Sequence, residues 1–429
     1  MVVTKTSTRR TRTMQVKTLL NRVHKVKGFV YESVRFSDSK DAAIEVTIRP
    51  RRGSRPFCSG CGRPGKTYDR LAARSFTFVP LWALAVVMVY APRRVSCRRC
   101  GVKNELLPWA DGKKRITNAH ALFLARWGRR LSWKEVATVF STSWDTVYRS
   151  VTWVVEYGLK HRDLDHVAAI GVDEIQFQKG HRYLTLVYQI DQSCRRLLWI
   201  GQDRTAKSFL RFFRMMGKQR TAAIKFVCSD MWQPYLKVIR KKVPHAIHIL
   251  DRFHIVARLN KAVDEVRAAE VKELACEGYD PVLKHSRWCL LKRPENLTDK
   301  QGAKLSDLMR YNLKSIRAYL LKDSFQALWD YTSYYWAGRF LDGWIRRAMR
   351  CRLEPIKKVA RSLRAHQDLI LNWFAAKKEY SSGIVEGLNN KVKLTLRKAY
   401  GFRTLEAAEI ALYHALGRLP EPKLNHGFC

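Results

Sequence analysis

The chain has 429 residues, 46% of them hydrophobic, which suits several packed domains and argues against disorder throughout. Lysine and arginine number 81 against 37 acidic residues, and the formal net charge of +44 favours polyanions, nucleic acid foremost, as partners. The most apolar stretch, Leu81 to Ala91, covers 11 residues against the roughly 20 needed to cross a bilayer, and neither a lipidation signal nor a secretory leader is evident, so no membrane partner is expected.

Residues 1–27 carry eight lysines or arginines and no acid, and residues 1–40 read as a basic N-terminal arm, either solvated or laid on DNA. Strand-like runs at 28–36 and 42–48 lead into Cys58-Ser59-Gly60-Cys61, and an apolar middle section, with 81–91 as buried strand or short helix, ends at Cys97-Arg98-Arg99-Cys100. Two knuckles of this spacing offer four thiolates, the ligand set of a closed tetrahedral Zn2+ site; the alternative is four unrelated reduced thiols. The 35 residues between Cys61 and Cys97 require strands to bring the knuckles together. Residues 41–112 are therefore expected to form a zinc-binding module whose structural Zn2+ has no open position, and which presents Arg63, Lys66, Arg93, Arg94, Arg98 and Arg99 to DNA. Cys194, Cys228, Cys276, Cys289, Cys351 and Cys429 are isolated and read as packing residues in a reducing compartment.

Residues 113–160 turn helical, with Ser132 and Ser143 as N-caps. The cadence of 131–151 is that of a helix-turn-helix, with 143–154 as recognition helix. Trp144, Asp145, Tyr148 and Arg149 are placed to meet bases or phosphates, while Val147 and Val151 pack inward; a helical hairpin serving as a spacer is the alternative. From 165 to 258 short β runs occupy 168–177, 183–190, 196–200, 222–228 and 246–250, with helical segments at 206–216 and 233–242. A three-strand meander followed by alternating helix and strand is the order of an RNase H-like core. Residues 259–376 show no strand signal and read as an all-helical insertion, after which 377–420 return to the core with a basic helix. The expected fold class is thus α/β and multidomain: an RNase H-like catalytic core interrupted by a helical insertion and preceded by a zinc-binding module and a helix-turn-helix domain.

Three carboxylates stand out in this frame. Asp173 closes Ala169-Ile170-Gly171-Val172, Asp230 closes the run from Ile224 to Ser229, and Glu386 begins the basic helix 156 positions later. Strand ends are where α/β sheets present catalytic groups. Phosphodiester chemistry needs a nucleophilic oxygen deprotonated near neutral pH and a leaving oxygen whose charge is neutralised. Two Mg2+ (or Mn2+) ions about 3.5 to 4 Å apart do both, and such hard cations prefer carboxylate oxygen. Glu174 competes with Asp173, since adjacent strand residues face opposite ways. Asp251, which ends its own run, is a further competing carboxylate. On the last helix Ser382 is the expected cap, and Leu388, Val392, Leu396 and Ala399 form a packing stripe. Glu386, Asn390, Lys393 and Arg397 share another face, where a metal-binding carboxylate would sit with phosphate-holding groups. Trp373 is either a core residue or a base-stacking one.

Four stretches, IGVDEIQF, CSDMWQPY, DRFH and SSGIVEGLNNKVK, together resemble the DDE transposases of bacterial insertion sequences, specifically the L3-type family with an N-terminal zinc-binding module and a helix-turn-helix. The resemblance runs in order from about Arg55 to Leu419 and leaves the N-terminal arm outside it. It implies Asp173, Asp230 and Glu386 as catalytic metal ligands. It also implies Asp251 and His254, which match an Asp-x-x-His signature of related transposases, as auxiliary residues, with Lys393 following the glutamate at the family's spacing; a histidine satisfied in the core remains the other reading of His254. Double-stranded DNA at terminal inverted repeats and at a target, metal-dependent cleavage and strand transfer, a homodimer or higher synaptic assembly, and a bacterial cytoplasmic, nucleoid-associated setting follow from the resemblance. The residues leave open a DNA-binding regulator with an inactive core, and a structure-specific nuclease that never joins DNA.

Overall fold

Apolar residues alternate along 43–50 and 84–90, and in the computed structural model both runs are strands of one sheet. The structure describes residues 15–37, 43–178, 182–279, 281–378, 380, 382–399 and 401–424. They divide into two compact units. One holds the described residues up to Arg162 together with Leu396–Ala415 and those from Leu419 on; the other holds Asp163–Thr395 and Leu416–Arg418.

The first unit opens with α1 (Val16–Val23), followed by β1 (Phe29–Phe36), β2 (Ala43–Pro50), β3 (Lys66–Arg70), β4 (Arg74–Leu81), β5 (Leu84–Tyr90), β6 (Arg93–Cys97) and β7 (Gly101–Asn104). A four-stranded sheet has the order β1-β2-β5-β4 and a three-stranded sheet the order β3-β6-β7. Val46, Phe76 and Met88 are fully buried, and Trp109 meets the rings of Phe29, Phe76 and Tyr90 edge-on. The stretch 81–91 is the β4–β5 hairpin, turning at Trp82 and Ala83 with φ of 51° and 64°. The expected basic arm is in part folded: Leu20 packs against the sheet core, His24 and Val26 are buried, and β1 pairs with β2, while 1–14 lie outside the described residues. Basic residues dominate the count there and hide the apolar positions Val16, Leu19 and Leu20. Three helices follow, α2 (Asn118–Gly128), α3 (Trp133–Val139) and α4 (Trp144–His161). Thr117, Ser132 and Ser143 cap them by accepting backbone N–H bonds, and Ser132 forms a capping box with Glu135.

The second unit is built on β8 (Ala169–Gln178), β9 (Arg182–Ile190), β10 (Arg195–Gly201), α5 (Ala206–Ala222), β11 (Phe226–Ser229), α6 (Gln233–Lys242) and β12 (Ile247–Leu250). The sheet order is β10-β9-β8-β11-β12, with β8 antiparallel to β9 and parallel to β11. Ile170 and Val172 pack on one side against Phe209, Phe212 and Tyr235, so Gly171 and Asp173 face the other. Seven helices follow with no strand among the described residues: α7 (Arg252–Cys276), α8 (Arg287–Leu291), α9 (Asp299–Leu308), α10 (Lys314–Gln326), α11 (Tyr334–Arg350), α12 (Glu354–Ala365) and α13 (Gln367–Ala375).

The last two helices are α14 (Ser382–Lys398) and α15 (Leu405–Leu416). α14 thus begins at Ser382, the position expected to start it. Ala407, Ala411 and Leu419 join Leu124, Val136, Val147 and Val151 in one hydrophobic core of the first unit. Gly158 permits this closeness, since a Cβ there would stand 2.5 Å from the Cβ of Leu419. No helix among the described residues is long and apolar enough to cross a membrane.

Candidate active site and cysteine cluster

The site arises where β8 outlasts its parallel neighbour. Pairing of β8 with β11 stops at Gly171 and Cys228, whereas pairing with β9 continues to Gln178. Asp173 therefore sits inside β8 and not at its end, beside the point where β11 stops and Asp230 follows. The backbone N–H of Asp251 donates to the Ser229 carbonyl at 2.8 Å, which sets the end of β12 alongside. Val172, Asp173, Cys228, Ser229, Asp230, Asp251, His254 and Val385 line one small cavity.

Each carboxylate has a distinct setting. Asp173 Oδ1 accepts the backbone N–H of Glu174 at 2.8 Å, and its Oδ2 accepts the side-chain amide of Asn389 at 2.5 Å. Burial pushes its pKa above the ordinary value, despite these bonds. Asp230 Oδ1 accepts the Trp232 backbone N–H at 2.9 Å, while the Arg204 guanidinium lies 3.6 Å from Oδ2. Asp251 caps α7 by accepting the Phe253 backbone N–H at 2.6 Å. His254 Nε2 stands 3.7 Å from Asp251 and 4.0 Å from Asp173, and the side chain is 41% exposed, so it is not a core histidine. Glu174 points to the opposite face, where it pairs with Arg204 at 3.0 Å, and burial followed by the nearby Asp230 charge pushes it up to about 7. The cavity thus gathers oxygen donors from the middle of β8 and from just past the ends of β11 and β12, with no lysine or arginine in its lining, a donor set suited to a hard divalent cation.

On α14 Val385, Leu388, Asn389 and Val392 are buried, while Glu386, Asn390, Lys393 and Arg397 are exposed. Val385 reaches the cavity; its neighbour Glu386 is not among the lining residues. The structure therefore brings Asp173, Asp230, Asp251 and His254 together and leaves Glu386 on the outer face of the adjoining helix. Asn389, Tyr188 and Arg204 were not singled out in the sequence. Asn389 had one available signal, its i+4 spacing from Val385 on the packing side. Trp373 is buried against Trp329 and Phe374, so it belongs to the core.

The thiol atoms of Cys58, Cys61, Cys97 and Cys100 all lie within 4.8 Å of one another. A tetrahedral Zn2+ with bonds of about 2.3 Å needs sulfur atoms about 3.8 Å apart, so the cluster can hold that ion. Backbone N–H groups of Arg99 and Cys100 hold the Cys97 thiol down at about 6, and the Cys61 thiol pushes Cys100 up to about 12. Arg63, Lys66, Arg98 and Arg99 are exposed beside it. Arg93 is not: its guanidinium is buried against Glu105 at 2.9 Å, and Tyr90 donates to the same carboxylate. Arg94 is paired with Asp69. A net charge spread over the whole chain does not reveal which arginine is internal. Of the isolated cysteines, Cys228 and Cys289 are buried, Cys194 and Cys351 half-buried, and Cys276 exposed, while Cys429 lies outside the described residues.

On α4 Trp144, Asp145 and Arg149 are exposed, Trp144 stacks on Tyr148 at 5.3 Å, and Arg149 pairs with Asp145 at 3.0 Å. Val147 and Val151 are fully buried, as their spacing requires.

The sequence profile described as that of the ISL3-type DDE transposases matches residues 170–412. The chain is 28% identical over 382 residues to the transposase for insertion sequence element IS1001 of Bordetella parapertussis, covering 88% of this chain and 93% of that protein. It is 30% identical over 408 residues to the transposase for insertion sequence element IS1557 of Mycobacterium tuberculosis, covering 89% of this chain and 91% of that one. A profile match over more than half the chain, with relatives matched over nearly their full length, means that the chain belongs to the ISL3-type DDE transposases of insertion sequences.

Proposed function

We propose that this protein binds the terminal inverted repeats of its own insertion sequence, hydrolyses phosphodiesters there and joins the exposed 3′-hydroxyls to target DNA. The observation that carries this reading is the convergence of Asp173, Asp230 and Asp251 with His254 on one cavity where β11 and β12 end beside β8. The meander β10-β9-β8 extended by parallel β11 and β12 supports an RNase H-like core. Relatives named as transposases support the reaction class.

Two divalent cations, Mg2+ or Mn2+, would supply deprotonation of the attacking oxygen and neutralisation of the leaving one. Asp173 and Asp230 would hold them from the sheet, and Glu386 would complete the set from α14. Asp251 anchors the start of α7 and so keeps His254 at the cavity mouth. Lys393, Asn390 and Arg397 continue the exposed face of Glu386 and are placed to hold backbone phosphates.

The cysteine cluster would hold a structural Zn2+, with Arg98 and Arg99 exposed at its second knuckle. The four residues between α3 and α4, with Ser141 at φ 46°, support a helix-turn-helix in which Trp144, Asp145, Tyr148 and Arg149 read DNA. Synapsis of two element ends calls for a homodimer or larger assembly, working at the nucleoid in the bacterial cytoplasm.

The test uses labelled repeat-end DNA, a target plasmid and Mg2+. Asp173→Asn, Asp230→Asn and Glu386→Gln should each lower 3′-end cleavage and joining by orders of magnitude while repeat binding persists. Glu174→Gln should be milder than Asp173→Asn. Cleavage without joined product would favour a nuclease, and a Glu386→Gln variant working at wild-type rate would remove Glu386 from the set.

A further inference from the structure

Asp173 is held by more than its own strand. The amide of Asn389 that donates to its Oδ2 is fixed at the other end by the Tyr188 hydroxyl, which donates to Asn389 Oδ1 at 2.7 Å. Asn389 is 6% exposed and Tyr188 fully buried, so water does not substitute readily for either bond. Only this orientation of the amide turns a donor toward the carboxylate. Tyr188 stands opposite Gly171 in the β8–β9 ladder, and Gly171 shares a face with Asp173 two residues on. A Cβ on Gly171 would lie 2.5 Å from Val385 Cγ2. Val385 and Asn389 are one helical turn apart on α14. The helix is therefore seated on the sheet by an apolar contact at Gly171 and a polar one at Asp173, and Glu386 lies between those two contact residues in the chain.

We infer that Asn389 is a positioning residue, coupling the seat of α14, and with it Glu386, to the Asp173 carboxylate and selecting which Asp173 lone pairs are left for a cation. This rests on the reading of Asp173 and Glu386 as cation ligands. An ionised carboxylate offers about four lone-pair sites, of which the Glu174 N–H takes one on Oδ1 and the Asn389 amide one on Oδ2. Loss of the amide frees the carboxylate to rotate and releases the polar half of the helix's seat. Exposed Asn390 does neither.

The experiment is a Mn2+ titration of the DNA-free protein followed by electron paramagnetic resonance, with thermal melting and the Mg2+ dependence of end cleavage on the same variants. Asn389→Leu should weaken Mn2+ binding about tenfold or more and raise the Mg2+ needed for half-maximal cleavage. Because it strands the Tyr188 hydroxyl, the double variant Asn389→Leu with Tyr188→Phe removes both polar groups. That protein should melt near wild type yet keep the weak Mn2+ binding. A folded double variant with wild-type Mn2+ affinity and Mg2+ dependence would overturn the inference while leaving the carboxylate reading intact. Undiminished Mn2+ binding in Asp173→Asn would instead overturn the carboxylate reading itself.

Discussion

Gly171→Ala tests whether the seating of α14 is as tight as the geometry demands. The new Cβ would stand 2.5 Å from Val385 Cγ2 and 3.3 Å from Ile190 Cγ2. Carbon atoms settle about 3.5 to 4.0 Å apart, so the helix must recede by about 1 Å. That movement stretches the 2.5 Å bond from Asn389 to Asp173 to about 3.5 Å, near the limit of a hydrogen bond. Overpacking of this kind costs about 1 to 3 kcal/mol. In a unit of this size each kcal/mol lowers the melting temperature by about 2 to 4 °C, for a total of roughly 2 to 12 °C. Val385→Ala alone loses two buried methyl groups, about 1.6 kcal/mol, but it also makes room for the alanine at 171. The double variant should therefore melt higher than the sum of the singles allows, by a coupling of about 0.5 to 3 kcal/mol, and recover Mg2+-dependent cleavage. Calorimetry and end-cleavage rates on the three variants decide the matter. A Gly171→Ala protein with wild-type melting and cleavage, or strict additivity in the pair, refutes the close seating.

Glu105→Ala leaves the buried Arg93 guanidinium uncompensated and should destabilise the first unit by about 3 to 5 kcal/mol, read by urea unfolding; a loss under about 1 kcal/mol would show that the pair is dispensable. Purified protein should carry about one Zn2+ per chain by elemental analysis, and Cys58→Ser should lose both the ion and the fold around it; a metal-free, fully folded wild type would reject the site. Trp144→Ala should weaken binding to the element ends by about tenfold while salt-sensitive, non-specific affinity persists, and an unchanged footprint would remove Trp144 from the contact surface. Burial holds His120 down at about 4 and His414 at about 3, below an unfolded value of about 6.5. Both folded values are depressed, so the stability these neutral rings permit is complete above pH 6.5 and is lost as pH falls toward 4 and 3. Melts of the first unit should drop over that window and less so in His120→Gln; a flat profile would contradict the burial argument.

The strands of the second unit were legible because β-branched runs alternate with turn residues, and α6 was legible to the residue at both ends. The bounds of β8 were legible too, 168–177 against Ala169–Gln178, but not that its pairing with β11 stops at Gly171 while pairing with β9 continues to Gln178, because period alone does not identify a partner. Asp173, Asp230 and Asp251 stood out by chemistry and local setting, and His254 through the family resemblance alone. Asn389 did not, since Asn389 and Asn390 are adjacent and a helical phase error of one residue exchanges them. The packing stripe was placed on Leu388 and Val392, but its polar member is recognisable only once Tyr188 and Asp173 are known to lie beneath it. Arg93 failed for a related reason: in a chain with 81 basic residues this buried arginine is marked by its acidic partner, twelve positions away. Tertiary pairing, not local sequence, carries that information.

The core that α2, α3 and α4 begin is finished by Ala407, Ala411 and Leu419. Ala407 lies 246 positions after His161, and at about 5 to 20 residues per second a ribosome takes roughly 12 to 50 s to supply it. Throughout that interval the nascent helices lack one wall of their packing, with Val147 and Val151 short of partners. A chain stalled in mid-synthesis already carries the exposed arginines of its N-terminal part but offers chaperones and proteases an unfinished apolar surface. Maturity of the first unit is therefore tied to completion of the chain's end, and a fragment stopping near Arg162 should be soluble only if another surface takes the place of α15.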